Sequence, residues 1–162
     1  MRTIISFFLI TTVTSFLVAQ RLKFNDPDLS FSLKKPKSWQ VFDNGYVVKL
    51  SPSANDTSSI YFTITYFEDA SPLGGNETLQ IIQPKEYVIT ELPTPNTIKI
   101  GKYQLQTGTT RAFINDNYYH QQRYIFNNNG QRWEIITSAR ESEKKELEKI
   151  FNRMIKSLKI TE

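Results

Sequence analysis

From Ile60 to Phe67 the chain alternates at every position. Ile60, Phe62, Ile64 and Tyr66 fall on one side of an extended segment, and Tyr61, Thr63, Thr65 and Phe67 on the other. Period-two alternation of β-branched and aromatic residues marks a strand with one buried face. A sheet made of such strands must find cover for its apolar side, and that demand shapes the rest of the fold. YVVKL (residues 46–50) reads as a shorter strand before it, across the turn-forming loop SPSANDTSS (residues 51–59).

The pattern repeats downstream as a meander. In TIKIGKYQLQ, Gly101-Lys102 separates two extended runs, which suits a two-residue hairpin with glycine in the first central position. A long run over residues 103–114 ends at the turn NDN, and YYHQQRYIF pairs back. NNNG then closes another hairpin through Asn129-Gly130, the strongest short hairpin signal. The last long strand, RWEIITSA, sends Trp133, Ile135, Thr137 and Ala139 to one face.

Cover comes from the C-terminus. Within residues 141–158, Leu147, Ile150, Phe151, Met154, Ile155 and Leu158 form one apolar stripe at helical spacing. Glu141 and Glu143 lie near the start of this helix and Arg153, Lys156 and Lys159 near its end, each sign favourable for the helix dipole. A Glu141–Lys145 pair at i,i+4 would contribute a few tenths of a kcal/mol. Burying six apolar side chains at roughly 1.5–3 kcal/mol each far outweighs those terms, so the sheet holds the helix. A second, shorter helix is expected after the loop EDASPLGGN, capped by Asn76, starting at Glu77 and ended or kinked by Pro84. The expected class is α+β, an antiparallel β-sheet meander covered by helices.

Residues 1–19, MRTIISFFLITTVTSFLVA, have the charged start, apolar run and small terminal residue of a secretory signal peptide, with cleavage after Ala19. Thr11, Thr12, Thr14 and Ser15 interrupt the run, which barely reaches the ~20 apolar residues of a bilayer span. No stable span is expected after cleavage, and the chain reads as secreted or periplasmic. Residues 20–162 then form a single domain of 143 residues, large enough to bury roughly two thirds of its unfolded surface. The sequence contains no cysteine, so disulfides, thiolate chemistry and acylation at a lipoprotein cysteine are excluded. Beyond the leader, nineteen Lys and Arg face sixteen Asp and Glu, interspersed rather than gathered in a stripe. That distribution argues against nucleic-acid binding. Lys34, Lys35 and Lys37 form the one local basic cluster, read as a solvated turn or, in a further reading, as a contact for an acidic lipid surface.

Three stretches together carry a resemblance. FSLKKPKSWQV followed by VVKLSPS, then IYFTITYF, then YHQQRYIFNNNGQRWEIITSA ahead of FNRMIKSLKI, resemble a PsbP-like domain over about residues 22–160. The family takes its name from an extrinsic subunit of photosystem II and has bacterial envelope members. The resemblance implies an α/β/α sandwich ending in a hairpin, a helix and a short strand. It also implies a binding or assembly scaffold without catalysis, and its matched residues, Pro36, Trp39 and Gly130, are architectural. The residues themselves say the same of the first two. Pro36 stiffens the turn and pushes Lys35 toward extended geometry, which delivers Trp39, an indole able to bury ~200 Å2, to the start of the next strand. Trp133 and Phe151 join these as structural residues.

Chemistry is sparse in the remaining sequence. His120 is the only histidine and sits inside a strand, and no G-x-S-x-G elbow accompanies it. One histidine and no cysteine make a zinc site improbable. NDPD (residues 25–28), NDN (residues 115–117) and Glu68-Asp69 could donate oxygens to calcium, yet Asp and Asn favour turns for local reasons. No cofactor and no catalytic residue are assigned. Binding is the expected role, with Tyr118, Tyr119, His120, Arg123 and Tyr124 as the candidate surface, because Tyr and Arg concentrate where proteins meet partners. Strand alternation must turn about half of those rings toward the core. The expected partner is a protein or envelope component. The alternative function is a carboxylate-dependent hydrolase or carbohydrate-active protein, needing two carboxylates across a cleft. Asn55 and Asn76 lie in N-glycosylation sequons.

Overall fold

The computed structural model describes residues 19–26, 30–45, 47–54, 58–67, 88–91 and 96–160. The strands are β1 (Ala19–Phe24), β2 (Phe31–Pro36), β3 (Gln40–Asp43), β4 (Val47–Ser51), β5 (Tyr61–Phe67), β6 (Val88–Glu91), β7 (Asn96–Ile100), β8 (Tyr103–Ile114), β9 (Asn117–Asn128), β10 (Gln131–Arg140) and β11 (Lys159–Ile160). One helix, α1 (Lys144–Ser157), lies between β10 and β11.

The strands form two antiparallel sheets. The larger runs β3-β4-β5-β10-β9-β8-β6, with β7 also paired to β8, and the smaller runs β1-β2-β11. The β8-β9-β10 meander is its spine, closed by turns whose residues sit at positive φ. Asn115 and Asp116 turn β8 into β9, and Asn129 and Gly130 turn β9 into β10. Positive φ at both central residues gives the twist that matches paired strands. Gly101, also at positive φ, joins β7 to β8.

Register gathers the larger core cluster on one face of the large sheet. Leu105 of β8 opposes Ile98 of β7, Trp133 opposes both Phe126 and Tyr66, and Ile135 opposes Tyr124 and Ile64. These side chains meet Leu147, Phe151, Met154 and Ile155 of α1 and Phe31 and Leu33 of β2. The helix and the small sheet therefore form one covering layer and the large sheet the other. Ser157 at the end of α1 accepts a hydrogen bond from the Lys34 amide at 2.7 Å, which ties the helix to β2.

Several expectations need correction. Residues 33–36, read as a lysine-rich turn, are the second half of strand β2, paired with β1. Lys35 is buried rather than solvated, and its ammonium donates to the Trp39 carbonyl at 2.6 Å and the Pro36 carbonyl at 3.3 Å. Desolvation lowers its pKa from the usual lysine range. Cover over the described sheet comes from one α-helix together with a three-stranded sheet, so the layer is mixed where helices alone were expected. The helix begins at Lys144 rather than at Glu141, since residues 141–143 form a 3-10 turn. The helix expected over residues 76–84, the sequons at Asn55 and Asn76, the Glu68-Asp69 turn and the leader up to residue 18 lie outside the described residues.

Candidate functional site

Alternation along β9 separates the five candidate binding residues. Tyr118, His120 and Tyr124 point to the side of the sheet that carries the core, and Tyr119 and Arg123 to the other. They cannot form one surface, and three of them are committed elsewhere. Tyr124 is 2% exposed, and its hydroxyl donates to Gln122 Oε1 at 2.7 Å. Burial, and then the nearby charge of Glu148, push its pKa up. Tyr119 is buried opposite Arg140 of β10. Arg123 makes a two-pronged ion pair with buried Glu134, Nε to Oε1 at 2.5 Å and Nη2 to Oε2 at 2.8 Å. A buried carboxylate demands such a partner, so this arginine is spent on holding Glu134.

The far face of the sheet is polar yet covered. Gln121, Glu134, Ser138 and Thr110 are all buried there, beside Ala112 and Ile114. Gln121 Nε2 donates to the Tyr61 hydroxyl at 3.0 Å. Burial pushes the pKa of Tyr61 up to about 12, with the Ser138 hydroxyl acting in the opposite direction.

Tyr118 and His120 belong to a real cluster at the open end of the core face. Antiparallel register sets Phe113 opposite Tyr118 and Arg111 opposite His120. The Phe113 and Tyr118 rings lie 4.9 Å apart, and the Arg111 guanidinium stands 4.2 Å from the centre of the Tyr118 ring. Glu141, in the turn that follows β10, brings its Oε2 to 2.6 Å from His120 Nε2 and 3.4 Å from Arg111 Nε. Its carboxylate therefore engages the strands rather than Lys145 as expected, while Lys144 and Glu148 form an i,i+4 pair within α1. Tyr118 remains 42% exposed, one of two large apolar-bodied side chains left so open among the described residues. The result is an aromatic ring in solvent, braced by a second ring and a cation and anchored through a carboxylate. Such a cluster can stack on a planar or apolar group and hydrogen-bond through Arg111 and the Tyr118 hydroxyl. His120 Nδ1 has no hydrogen-bond partner among the described residues, so no nucleophile is joined to this imidazole there.

Phe113 could have been found by counting back from the NDN turn, because that turn dictates which residues of β8 face β9. Glu141 could not, since its position follows from where β10 ends.

Trp39 is 3% exposed, meets Phe151 edge-on at 5.9 Å, and donates its backbone N–H to Pro36 O at 3.1 Å. Trp133 is 1% exposed between Phe126 and Tyr66. Gly130 occupies the left-handed position of its hairpin. No group of three or more metal-binding side chains occurs among the described residues, and no helix among them is long and apolar enough to cross a membrane.

No protein-family model matches the sequence, and no curated protein matches it. Solved structures do. Cyanobacterial PsbP from Synechocystis aligns over 92% of this chain and 96% of its own length, with a TM-score of 0.61 and 13% identity. LpqN, described as involved in cell envelope biogenesis of Mycobacterium tuberculosis, aligns over 89% and 91%, with a TM-score of 0.52 and 12% identity. A protein from Bacteroides thetaiotaomicron gives 0.56 and 17% over 82% of this chain, which spans 45% of that chain's length. The chain has the PsbP-like fold. Identities this low carry the fold and nothing more.

Proposed function

We propose that this chain is a secreted or periplasmic binding module that performs no turnover. Residues 1–19 act as its signal peptide and residues 20–162 as its single domain. Cleavage after Ala19 would leave strand β1 paired with β2 from Gln20 onward. The braced patch of Arg111, Phe113, Tyr118, His120 and Glu141 is its contact surface for a protein or envelope component.

The observation that carries this reading is the exposed Tyr118 ring, fixed in place by Phe113 and Arg111. An aromatic anchor already held in one position loses little entropy on binding, and Tyr and Arg dominate binding hot spots. The likeness of the fold to LpqN, described in connection with the cell envelope, points the same way.

A photo-crosslinking residue at position 118, used in the chain's own envelope, tests the reading. A discrete adduct that disappears in Arg111→Ala, with the melting temperature unchanged, is the expected result. An adduct pattern indifferent to Arg111 removes the patch from consideration. Hydrolase activity in the purified chain that vanishes in His120→Ala would instead make it an enzyme.

A further inference from the structure

A second feature lies at the opposite end of α1 from the Tyr118 patch. The last turns of α1 and the edge formed by β1 and β2 enclose a groove of about 530 Å3, inside the ~300–1,000 Å3 range of sites that hold small organic ligands. Its walls combine two chemistries. Pro36, Ile150 and Met154 supply an apolar floor. Around it stand Arg21, Lys34, Arg153, Lys156 and Lys159, all exposed, and no carboxylate lines the groove.

The cations are placed by the fold rather than by any run in the sequence. Antiparallel register sets Arg21 of β1 directly opposite Lys34 of β2. Lys159 starts β11, paired with Ser32 on the other side of β2. Arg153 and Lys156 project from α1, which Ser157 fastens to the Lys34 amide. Lys35 also lines the groove but is not available to a ligand, because its ammonium is turned to the Pro36 and Trp39 carbonyls. None of the other five is ion-paired among the described residues.

Lysine and arginine at a helix C-terminus offset the helix dipole, which accounts for Lys156 and Arg153. It does not account for Arg21 and Lys34 across the groove, nor for an apolar floor between the two basic walls. Five cations held close together without counter-charge repel one another, and an anion placed among them relieves that repulsion. A purely charged ligand would leave the floor wetted, and a purely apolar one would leave the rim unused.

We infer that this groove binds an anionic lipid, its acyl chain along Pro36, Ile150 and Met154 and its phosphate among Arg21, Lys34, Arg153, Lys156 and Lys159. The site is independent of the Tyr118 patch, so either can fail without the other.

Calorimetric titration of the full chain with dodecyl phosphate, below its micelle concentration, tests the inference. Inorganic phosphate and dodecyl maltoside serve as the headgroup-only and chain-only probes. Dodecyl phosphate binds at least about tenfold more tightly than either one. The double reversal Arg153→Glu/Lys156→Glu, at two exposed positions, weakens that binding about tenfold or more, while Lys99→Glu/Lys102→Glu on the β7–β8 hairpin changes it little. Equal affinity for inorganic phosphate would show a simple anion site and overturn the lipid assignment. Equal affinity for dodecyl maltoside would overturn the role of the cations. Equal loss in both double variants, no loss in either, or no binding at all would overturn the groove itself.

Discussion

Replacing Trp39 with alanine isolates the contribution of one side chain to the joint between α1, β2 and the large sheet. Its backbone bonds survive the change, because the N–H to Pro36 and the carbonyl that receives Lys35 Nζ are main-chain groups. What disappears is the indole, 3% exposed and set edge-on against Phe151 at 5.9 Å and 75°. An indole buries ~200 Å2, and ~25 cal/mol per Å2 sets an upper figure of about 5 kcal/mol. Aromatic-to-alanine changes in cores cost about 3–5 kcal/mol, and the edge-on ring pair accounts for about 0.5–1.5 kcal/mol within that. We expect a loss of about 3–5 kcal/mol in urea unfolding, followed by the fluorescence of Trp133, and a melting temperature lower by roughly 10–20 °C. Trp39→Phe keeps most of the volume and should cost less than half as much. A loss below about 1 kcal/mol in the alanine variant would refute the reasoning. So would unchanged melting with binding abolished, which would move Trp39 from the joint to a site.

Two further expectations follow from the covered polar face. Glu134→Ala strands the Arg123 guanidinium, 19% exposed, and should cost about 3–5 kcal/mol; Glu134→Leu combined with Arg123→Met should recover most of it. Urea midpoints decide, and equal losses in the single and double variants would show that the pair contributes only packing. Burial holds the Tyr61 hydroxyl protonated up to about 12 instead of 10.0. Its contribution to stability is therefore whole below pH about 10 and lost as pH rises through about 12. Tyr124, whose pKa burial also raises, acts in the same direction. Tyr61→Phe should flatten the alkaline fall in the urea midpoint, and an identical fall in the variant would exclude Tyr61 as its source.

Much of the spine was legible because it depends on local chemistry. Asn129-Gly130 and Gly101 announce their turns by the backbone angles they tolerate, and the alternation of Phe62 and Ile64 needs only one buried face to be read. The stripe from Leu147 to Leu158 is visible for the same reason. Residues 33–36 misled because a proline flanked by lysines describes a turn in isolation. Their strand exists because β1 pairs along one side of it and β11 joins the start of the other, and no local pattern encodes a partner as distant as β11. The candidate surface on β9 failed for a related reason. Neighbours in sequence lie on opposite faces of a strand, so Tyr118 and Tyr119 could never share a site, and Arg123 was already taken by Glu134 across the β9–β10 pair.

The order of residues alone determined that an antiparallel meander would form, that an amphipathic helix would cover it, and that no disulfide would brace the result. These follow from side-chain period, turn geometry and composition, which act over a few residues. Tertiary structure decided which charges would meet: Glu141 with His120 and Arg111, Glu134 with Arg123, and Arg21 with Lys34 beside the end of α1. Charge pairing depends on distance in space, and strands far apart in the chain acquire that distance only when the sheet closes and the helix comes down on it.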